Sequence, residues 1–358
     1  MTATADSGAP GALFAAYLGE KRPQIEAFLA TCAPACVPGT AEATRADLDR
    51  YLYQPLARFT ASGGKRTRPA LALLGCEAVG ADPEAALSTA AAIEYFQSAA
   101  LIHDDIADKS ELRRGEPCTY VAEGTGVAIN IGDLGLVNVL ALVLRDQKLP
   151  AAIRADVAER LVQMEERTLE GQALDLGWVR DGRWDISVED YLYMASHKTA
   201  YYSAAVPLVT GALCGGGAPD QLRALDEFGM RAGLAFQLQD DLLNLVGDAE
   251  AQGKDFRSDI TEGKRTLAVV HALENLGAAE RDELVGILGS QATEAATLAR
   301  AVELIELGGG IECCRDLAAS EVAQAEGLAH GLEQDGLISA DACELLCSMA
   351  QFFVNRAS

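Results

Sequence analysis

Apolar residues recur every three or four positions along most of this chain, which is the spacing of one face of an α-helix. Runs in which β-branched and polar residues alternate, as they do in strands, are nearly absent. Glycine, proline and aspartate cluster between the periodic segments. The pattern predicts an all-α protein with helices near residues 45–60, 68–80, 84–108, 126–145, 151–176, 188–214, 220–247 and 264–276.

The same pattern predicts one domain. It continues through the C-terminal third with breaks at glycines, and no proline-rich linker or charge block divides the chain. Residues 1–20 are rich in Ala, Gly, Ser and Thr, so we expect a flexible tail there. Residues 21–358 are expected to form a bundle of ten or more helices, with the long uncharged helices in a central layer.

Composition and charge narrow the possible functions. The 358 residues are 49% hydrophobic, which is enough for a large core and excludes a disordered protein. The net charge of −24 disfavours nonspecific binding to nucleic acid or to an anionic membrane. Local clusters of Lys and Arg are therefore conspicuous, because an acidic protein that binds phosphate groups must concentrate its positive charge.

One segment is long enough to cross a bilayer. Residues 199–219 carry no charge, but Pro207 interrupts them and three glycines follow Cys214. A buried core helix that ends near Cys214 explains this segment better than a membrane span. Residues 1–10 have neither the basic nor the apolar region of a signal peptide, so we expect a soluble protein.

The nine cysteines show no spacing typical of a disulfide framework. Cys32 and Cys36, and likewise Cys343 and Cys347, lie four residues apart. The four histidines are distant from these pairs in sequence, whereas a zinc site needs compact sets of ligands. We predict reduced core thiols in a cytosolic protein, with a metal or redox site as the alternative.

Two clusters of aspartates interrupt apolar helices. The first contains Asp104, Asp105 and Asp108; Gln97 lies two turns before them on the same side. The second follows the spacing 0, 3, 4 and 7 and consists of Gln237, Asp240, Asp241 and Asn244. Either cluster alone could be a solvated acidic face. Together, and with basic residues nearby, they favour two facing carboxylate stripes that hold divalent cations around a phosphate ligand.

Magnesium fits such a site, because it takes oxygen ligands and is usually held by one or two carboxylates together with substrate phosphates. A metal-bound diphosphate is a good leaving group, since its charge is neutralised. Calcium bound as in an EF-hand, or a general acid–base pair, fits less well because neither pattern is present.

Three basic clusters complete the chemistry. Gly63-Gly64-Lys65-Arg66-Thr67-Arg68-Pro69 opens a helix, where backbone N–H groups, Lys65 and Arg68 can bind an anion. This segment lacks the Gly-Lys-Ser/Thr order of a Walker A loop. Arg113-Arg114-Gly115 follows the first aspartate helix, and Lys198-Thr199 enters the uncharged segment. Together, the aspartate and basic clusters predict one phosphate site that uses metal ions and a second that binds phosphate directly. Two such sites indicate a reaction that joins two diphosphate-bearing substrates.

These residues together resemble the trans-isoprenyl diphosphate synthases, also called polyprenyl synthetases. The resemblance covers about residues 56–272. Its motifs are the glycine-lysine-arginine segment, the first aspartate cluster with Arg113-Arg114-Gly115, Lys198-Thr199-Ala200, Phe236-Gln237-Leu238-Gln239-Asp240-Asp241, Lys254-Asp255 and Asp259-Ile260-Thr261-Glu262-Gly263-Lys264. It implies the isoprenoid synthase fold, a helical bundle around a central cavity, and head-to-tail condensation of isopentenyl diphosphate with an allylic diphosphate.

The resemblance also implies a role for each site residue. The expected magnesium site consists of Asp104, Asp105, Asp108, Asp240, Asp241 and Asn244, with Asp105 and Asp241 supporting the metal shell. The allylic diphosphate is expected at Arg113, Lys198, Lys254 and Lys264. Isopentenyl diphosphate is expected at Lys65, Arg68, Gln97 and Arg114. Lys198, Thr199 and Gln237 are the expected catalytic residues, the last two stabilising a carbocation through their oxygens.

Two positions depart from the family pattern. Asn244 stands where the second motif usually ends in aspartate, which removes one charge from the metal site. Gln97 stands at a position that is often histidine, and glutamine serves there in some members. The resemblance further implies three magnesium ions per active site, with manganese as a possible substitute, and a cytoplasmic homodimer that inserts into no membrane and binds no nucleic acid.

Product length in this family depends on bulk just before the first aspartates. Ala99 and Ala100 are small, so we expect no floor, meaning a bulky side chain that stops growth of the product, at the length of farnesyl diphosphate. Phe96 lies one turn deeper, a rise of about 5.4 Å that is close to one isoprene unit. Phe96 is therefore expected to stop growth at geranylgeranyl diphosphate, unless it is only a core residue and another helix supplies the floor.

Three alternatives remain at this stage. The first alternative is that the product is geranylfarnesyl diphosphate or a longer chain. A class I terpene cyclase would share the fold and the first cluster, but it would not need Lys65, Arg68 and Arg114. A non-catalytic partner subunit of a hetero-oligomeric synthase would tend to lose aspartates, whereas five of the six motif positions are acidic here.

Overall fold

Helices make up most of the described backbone in the computed structural model, which describes residues 9–247 and 256–355. The α-helices are α1 (Ala12–Thr31), α2 (Glu42–Leu48), α3 (Gln54–Ala61), α4 (Thr67–Ala78), α5 (Leu87–Ala107), α6 (Thr119–Glu123), α7 (Thr125–Arg145), α8 (Ala151–Arg180), α9 (Val188–Ala195), α10 (Val206–Cys214), α11 (Pro219–Val246), α12 (Ser258–Glu262), α13 (Leu267–Asn275), α14 (Ala278–Leu288), α15 (Ala295–Leu307), α16 (Gly310–Gln334) and α17 (Ala340–Val354). A 3-10 helix covers Pro83–Ala86, and π-helical segments cover Asp49–Tyr53 and Ser196–Ala205. Two short strands, β1 (Leu112–Arg113) and β2 (Glu116–Pro117), pair antiparallel.

The all-α prediction is confirmed, and every predicted helix is present with ends shifted by a few residues. One shift concerns the site. The helix expected near 264–276 begins only at Leu267, because the Thr266 side chain caps it by accepting a hydrogen bond from the Val269 N–H. Lys264 therefore lies in the turn before α13. The uncharged segment is a buried helix that ends at Cys214, as predicted.

The expected flexible tail at residues 1–20 is wrong from Ala12 onward, where α1 begins. Phe14 is fully buried, and its ring lies edge-on to Phe352 and Phe353 at centroid distances of 5.4 and 6.5 Å. Alanine favours helix, and this tertiary packing supplies the stability that the local sequence does not display. Burial of such a ring contributes roughly 1.5–3 kcal/mol.

The residues group into two compact units. Unit 1 takes in Met1–Ala15, Gln163–Val206 and Arg223–Ser358, and unit 2 takes in Ala16–Val162 and Pro207–Leu222. The core of unit 1 lies among α9, α11, α13, α15 and α16; its buried members include Tyr191, Leu238, Leu267, Leu304 and Ile311.

Glycines bring the helices of unit 2 into backbone contact. A methyl group on Gly75 of α4 would overlap the Leu208 carbonyl of α10, and one on Gly211 would overlap the Ala72 carbonyl. On α7, a methyl group on Gly135 would lie 2.9 Å from the Ala99 side chain of α5. Gly135 thus lets α5, which carries the first aspartate cluster, pack closely against α7.

One helix among the described residues, α7, has the length and apolar composition to cross a membrane, with a mean hydropathy of 2.1. Core helices of soluble proteins share these properties, so this is weak evidence for a span.

Candidate active site

The first aspartate cluster lies at the C-terminal end of α5. Asp104 and Asp105 occupy its last turn, and the Asp108 N–H closes the helix by donating to the Asp104 carbonyl at 2.8 Å. Asp104 and Asp108 are partly exposed, whereas Asp105 is fully buried. Two of the three predicted metal ligands are thus accessible from solvent, four residues apart on one side of the helix.

A hairpin after α5 positions the two arginines. Arg114 and Gly115 both have positive φ, 54° and 83°, as a two-residue type I′ turn requires. This turn directs Arg113 back to Asp105, where its Nε donates to Oδ1 at 2.7 Å. Burial raises the pKa of Asp105, and Arg113 only partly offsets the rise. Asp105 therefore acts on the site by fixing Arg113.

Arg114 joins the hairpin to the glycine loop before α4. Its Nη1 donates to the Ser62 hydroxyl at 3.1 Å and to the Gly63 carbonyl at 3.2 Å. Gly63 and Gly64 have φ values of 102° and 112°, so this loop conformation favours glycine at both positions. The contact brings Arg114 to the loop that carries Lys65, as the predicted isopentenyl diphosphate site requires.

Arg66, which sequence reasoning did not select, anchors that loop. Its guanidinium is buried, ion-paired with Glu94 of α5, and it donates to the Thr60 carbonyl at 2.8 Å. Burial raises the pKa of Glu94, while Arg66 and Arg68 oppose the rise. A glutamate in the apolar part of α5 was the signal in the sequence, because such a charge needs a buried partner.

Gln97 of α5 is the remaining predicted contact for isopentenyl diphosphate. It lies one turn after Glu94, and its Oε1 atom is buried without a hydrogen-bond partner among the described residues. An unsatisfied buried carbonyl oxygen is costly, so it fits a position where a ligand or a ligand-bound water completes the contact.

The chain-length residues differ in their surroundings. Phe96 lies eight residues before Asp104 and Ala100 lies four before it, on the same side of α5. Ala100 is partly accessible and Phe96 is buried. Ala99 packs against Gly135 of α7, so bulk at that position would disturb the contact between the two helices. The geometry favours Phe96 and Ala100 over Ala99 as determinants of product length.

The second aspartate cluster lies on α11 in unit 1. Asp240 is exposed and Asp241 is buried. The Tyr191 hydroxyl donates to Asp241 Oδ2 at 2.7 Å, and the Gln237 Nε2 donates to Oδ1 at 2.6 Å. Burial raises the pKa of Asp241 to about 7 in spite of these bonds. Tyr191, which the sequence did not single out, and Asp241 together orient Gln237.

Asn244 connects α11 to α12. Its Nδ2 donates to the Ser258 hydroxyl at 3.0 Å, and its Oδ1 accepts from the Asp259 N–H at 3.2 Å. Burial raises the pKa of Asp259 well above its ordinary value, and the nearby Asp241 adds to the rise. Both amide atoms of Asn244 thus hold the loop that presents Asp259, and its role as a metal ligand stays a prediction.

Lys198 and Thr199 lie in the π-helical segment. The Val206 N–H donates to the Tyr201 carbonyl five residues earlier, and Pro207, which has no N–H, follows directly. A methyl group on Gly171 of α8 would overlap the Lys198 backbone, so α8 packs closely there. Such π-helical turns are frequent at functional sites because they re-aim a side chain.

Asp175 of α8 brings two predicted diphosphate-binding lysines together. It is ion-paired with Lys198, and its Oδ2 lies 3.6 Å from the Lys264 ammonium. Burial favours the neutral acid, but Lys198 and Lys264 hold the pKa of Asp175 below its ordinary value. One aspartate in a long helix gave no sequence signal of this role.

Asp175→Asn is expected to lower the free energy of unfolding by about 2 kcal/mol, because two ammonium groups lose their shared counter-ion. Asp185→Asn is the matched control, since Asp185 pairs with Arg183 at the surface. Urea denaturation measures both changes. Equal, small losses in the two variants would show that Asp175 does not hold the lysine pair.

The donor set fits magnesium. Asp240, Asp241 and Asp259 gather on α11 and the start of α12, and burial raises the pKa of the last two. Carboxylates pushed towards neutrality by burial and by one another are stabilised when a cation binds beside them. The first cluster offers Asp104 and Asp108 in unit 2. That the two clusters face each other across one site stays a prediction, and Lys254 lies outside the described residues.

Comparisons with known proteins agree on one family. The family model described as polyprenyl synthetase matches residues 49–305. A short chain isoprenyl diphosphate synthase from Methanothermobacter thermautotrophicus is 41% identical over 297 residues, which cover 82% of this chain and 87% of the relative. Other similar proteins are named geranylgeranyl, geranylfarnesyl and farnesyl diphosphate synthase.

Solved structures give the same result. The chain is similar to a geranylgeranyl pyrophosphate synthetase from Pyrococcus horikoshii, with a TM-score of 0.84, 31% identity, and coverage of 96% of this chain and 98% of the other. It is also similar to a geranylgeranyl pyrophosphate synthase from Corynebacterium glutamicum, complexed with isoprenyl diphosphate and magnesium. For that structure the TM-score is 0.83, with 29% identity and coverage of 95% and 98%.

Proposed function

Because this chain belongs to the polyprenyl synthetase family and is a trans-prenyltransferase of the short-chain isoprenyl diphosphate synthase type, we propose that it makes geranylgeranyl diphosphate with the help of magnesium. The isoprenoid synthase fold and the enzyme class predicted from the sequence are confirmed. The length of the product is the part of this statement that we propose. One observation carries it: Phe96 and Ala100 share the side of α5 that ends at Asp104.

The reaction begins when the allylic C–O bond breaks and its electron pair leaves with the diphosphate. Lys198 and Lys264 hold that diphosphate, and Asp175 keeps both ammonium groups in place. Asp104, Asp108 and Asp240 would hold magnesium, which when bound would neutralise charge on the leaving diphosphate. Oxygens of Thr199 and Gln237 stabilise the carbocation.

Isopentenyl diphosphate is held without metal by Lys65, Arg68, Gln97 and Arg114. Its double bond attacks the carbocation and forms the new C–C bond. The resulting cation then loses a proton to the departing diphosphate. The contact between Arg114 and Gly63 supports this assignment, because it joins the hairpin and the glycine loop into one basic site.

Phe96→Ala is expected to shift the product from geranylgeranyl diphosphate to chains at least one isoprene unit longer, because it removes bulk two turns below Asp104, about 12 Å along the helix. Phe28→Ala, the same chemical change on α1, is the control and should leave the product length unchanged. Chromatography of the dephosphorylated products measures the lengths. An unchanged distribution in Phe96→Ala would show that another helix supplies the floor.

We further propose a cytoplasmic homodimer, as the family resemblance implies. The exposed apolar side chains Ile129, Val137 and Leu144, spaced seven or eight residues apart along one face of α7, support a protein interface there. Sedimentation equilibrium tests the stoichiometry, and a monomer at micromolar concentration would contradict it.

A further inference from the structure

Two helices at the C-terminal end of unit 1 bring together four side chains with metal-binding atoms. His330 and Glu333 lie one turn apart on α16, and Cys343 and Cys347 lie one turn apart on α17. One ligand atom from each of His330, Cys343 and Cys347 lies within 4.8 Å of the other two. The histidine is distant from the two cysteines in sequence, but the packing of α16 on α17 brings them together.

The donor atoms lie at distances comparable to those between neighbouring ligands of one metal ion. His330 Nδ1 lies 3.3 Å from the Cys343 sulfur and 3.8 Å from a Glu333 carboxylate oxygen, and Nε2 lies 4.0 Å from the Cys347 sulfur. In a tetrahedral zinc site with Zn–S bonds of about 2.3 Å, neighbouring ligand atoms lie about 3.5–3.8 Å apart. One atom from each of His330, Cys343 and Cys347 lies within 4.8 Å of the other two, and the Glu333 carboxylate must turn towards them to complete the shell.

The environment also suits a cation. Glu333 hydrogen-bonds to the Cys343 thiol, and the charges of Glu326 and Glu333 act on Cys347. Cys343 is buried and Cys347 is partly buried, so both sulfur atoms lie at least partly shielded from solvent.

We propose that His330, Cys343, Cys347 and Glu333 form a structural zinc site that joins α16 to α17. Zinc takes two thiolates, one imidazole nitrogen and one carboxylate oxygen, and the two thiols release their protons to solvent when the ion binds. This set has soft sulfur ligands and is distinct from the carboxylate clusters, which suit magnesium.

The site would stabilise the helix that supports the second aspartate cluster. Phe353 near the end of α17 packs edge-on against Phe236 of α11, with ring centroids 4.9 Å apart. Phe236 directly precedes Gln237. Zinc therefore acts on the stability of this part of unit 1 and takes no part in the reaction.

Cobalt(II) added to the intact, reduced, metal-free protein tests the proposal, since a tetrahedral thiolate site gives sulfur-to-cobalt charge-transfer absorption and strong visible bands. We expect the charge-transfer band to saturate at one cobalt per chain and to be lost when one equivalent of zinc displaces that ion. Carboxylate sites bind cobalt without the charge-transfer band, so the active site does not interfere. Absence of this band in the wild-type protein would overturn the proposal.

Variants identify the ligands. Cys347→Ser and His330→Ala, both at accessible positions, are expected to weaken zinc affinity about 100-fold or more. Cys313→Ser, a partly buried cysteine elsewhere on α16, is the matched control and should leave affinity unchanged. A charge-transfer band that survives unaltered in both Cys347→Ser and His330→Ala would also overturn the proposal. Prenyltransferase activity is measured separately and does not decide this question.

Discussion

Asp104→Asn is expected to lower kcat by about 100- to 1,000-fold or more, because the leaving diphosphate loses stabilisation that is needed chiefly in the transition state. Asparagine has nearly the same shape as aspartate but no charge, so the helix end and the Asp108 contact to the Asp104 carbonyl persist. Steady-state kinetics at several magnesium concentrations measure the change. We expect partial recovery of kcat at high magnesium.

Asp47→Asn is the control for this experiment, since Asp47 is exposed on α2 and the chemical change is identical. It should leave kcat unchanged. If Asp104→Asn retained wild-type kcat and an unaltered magnesium requirement, the assignment of the first cluster to the leaving group would be wrong.

Glu94→Gln is expected to lower the free energy of unfolding by about 3–5 kcal/mol, because it leaves the buried Arg66 guanidinium without its counter-ion. The KM for isopentenyl diphosphate should rise as well, since Arg66 fixes the loop that carries Lys65. Urea denaturation and initial rates give the two quantities.

Glu123→Gln provides a matched comparison. Glu123 also pairs with an arginine, Arg58, but that arginine side chain is 65% exposed. Exposed pairs of this kind contribute about 0–1 kcal/mol, so a small loss is expected there. Similar losses in the two variants would show that the Arg66–Glu94 pair does not anchor the loop.

The fold could be predicted in large part because apolar spacing determines which side of each helix is buried. Helix α1 escaped prediction because its stability comes from Phe14 packing on Phe352 and Phe353, a contact between opposite ends of the chain. The π-helical segment at Lys198 lies where α8 packs closely at Gly171, and no local propensity encodes that contact.

The site could be predicted where chemistry is concentrated in short motifs, as at Asp104–Asp108 and Gly63–Pro69. The residues that were missed act through others. Arg66, Asp175 and Tyr191 each belong to a buried contact with a residue far away in sequence. Lys198 did stand out in the sequence, and Glu94 could have been noticed for the same reason, because a charge in an apolar helix needs a partner that only the folded structure identifies.

Incubation of the purified protein with isopentenyl diphosphate and dimethylallyl, geranyl or farnesyl diphosphate tests the central claim most directly. The account predicts elongation to geranylgeranyl diphosphate, which is lost after chelation and restored when magnesium is added back. Failure to elongate any of the three starters in the presence of magnesium would contradict it.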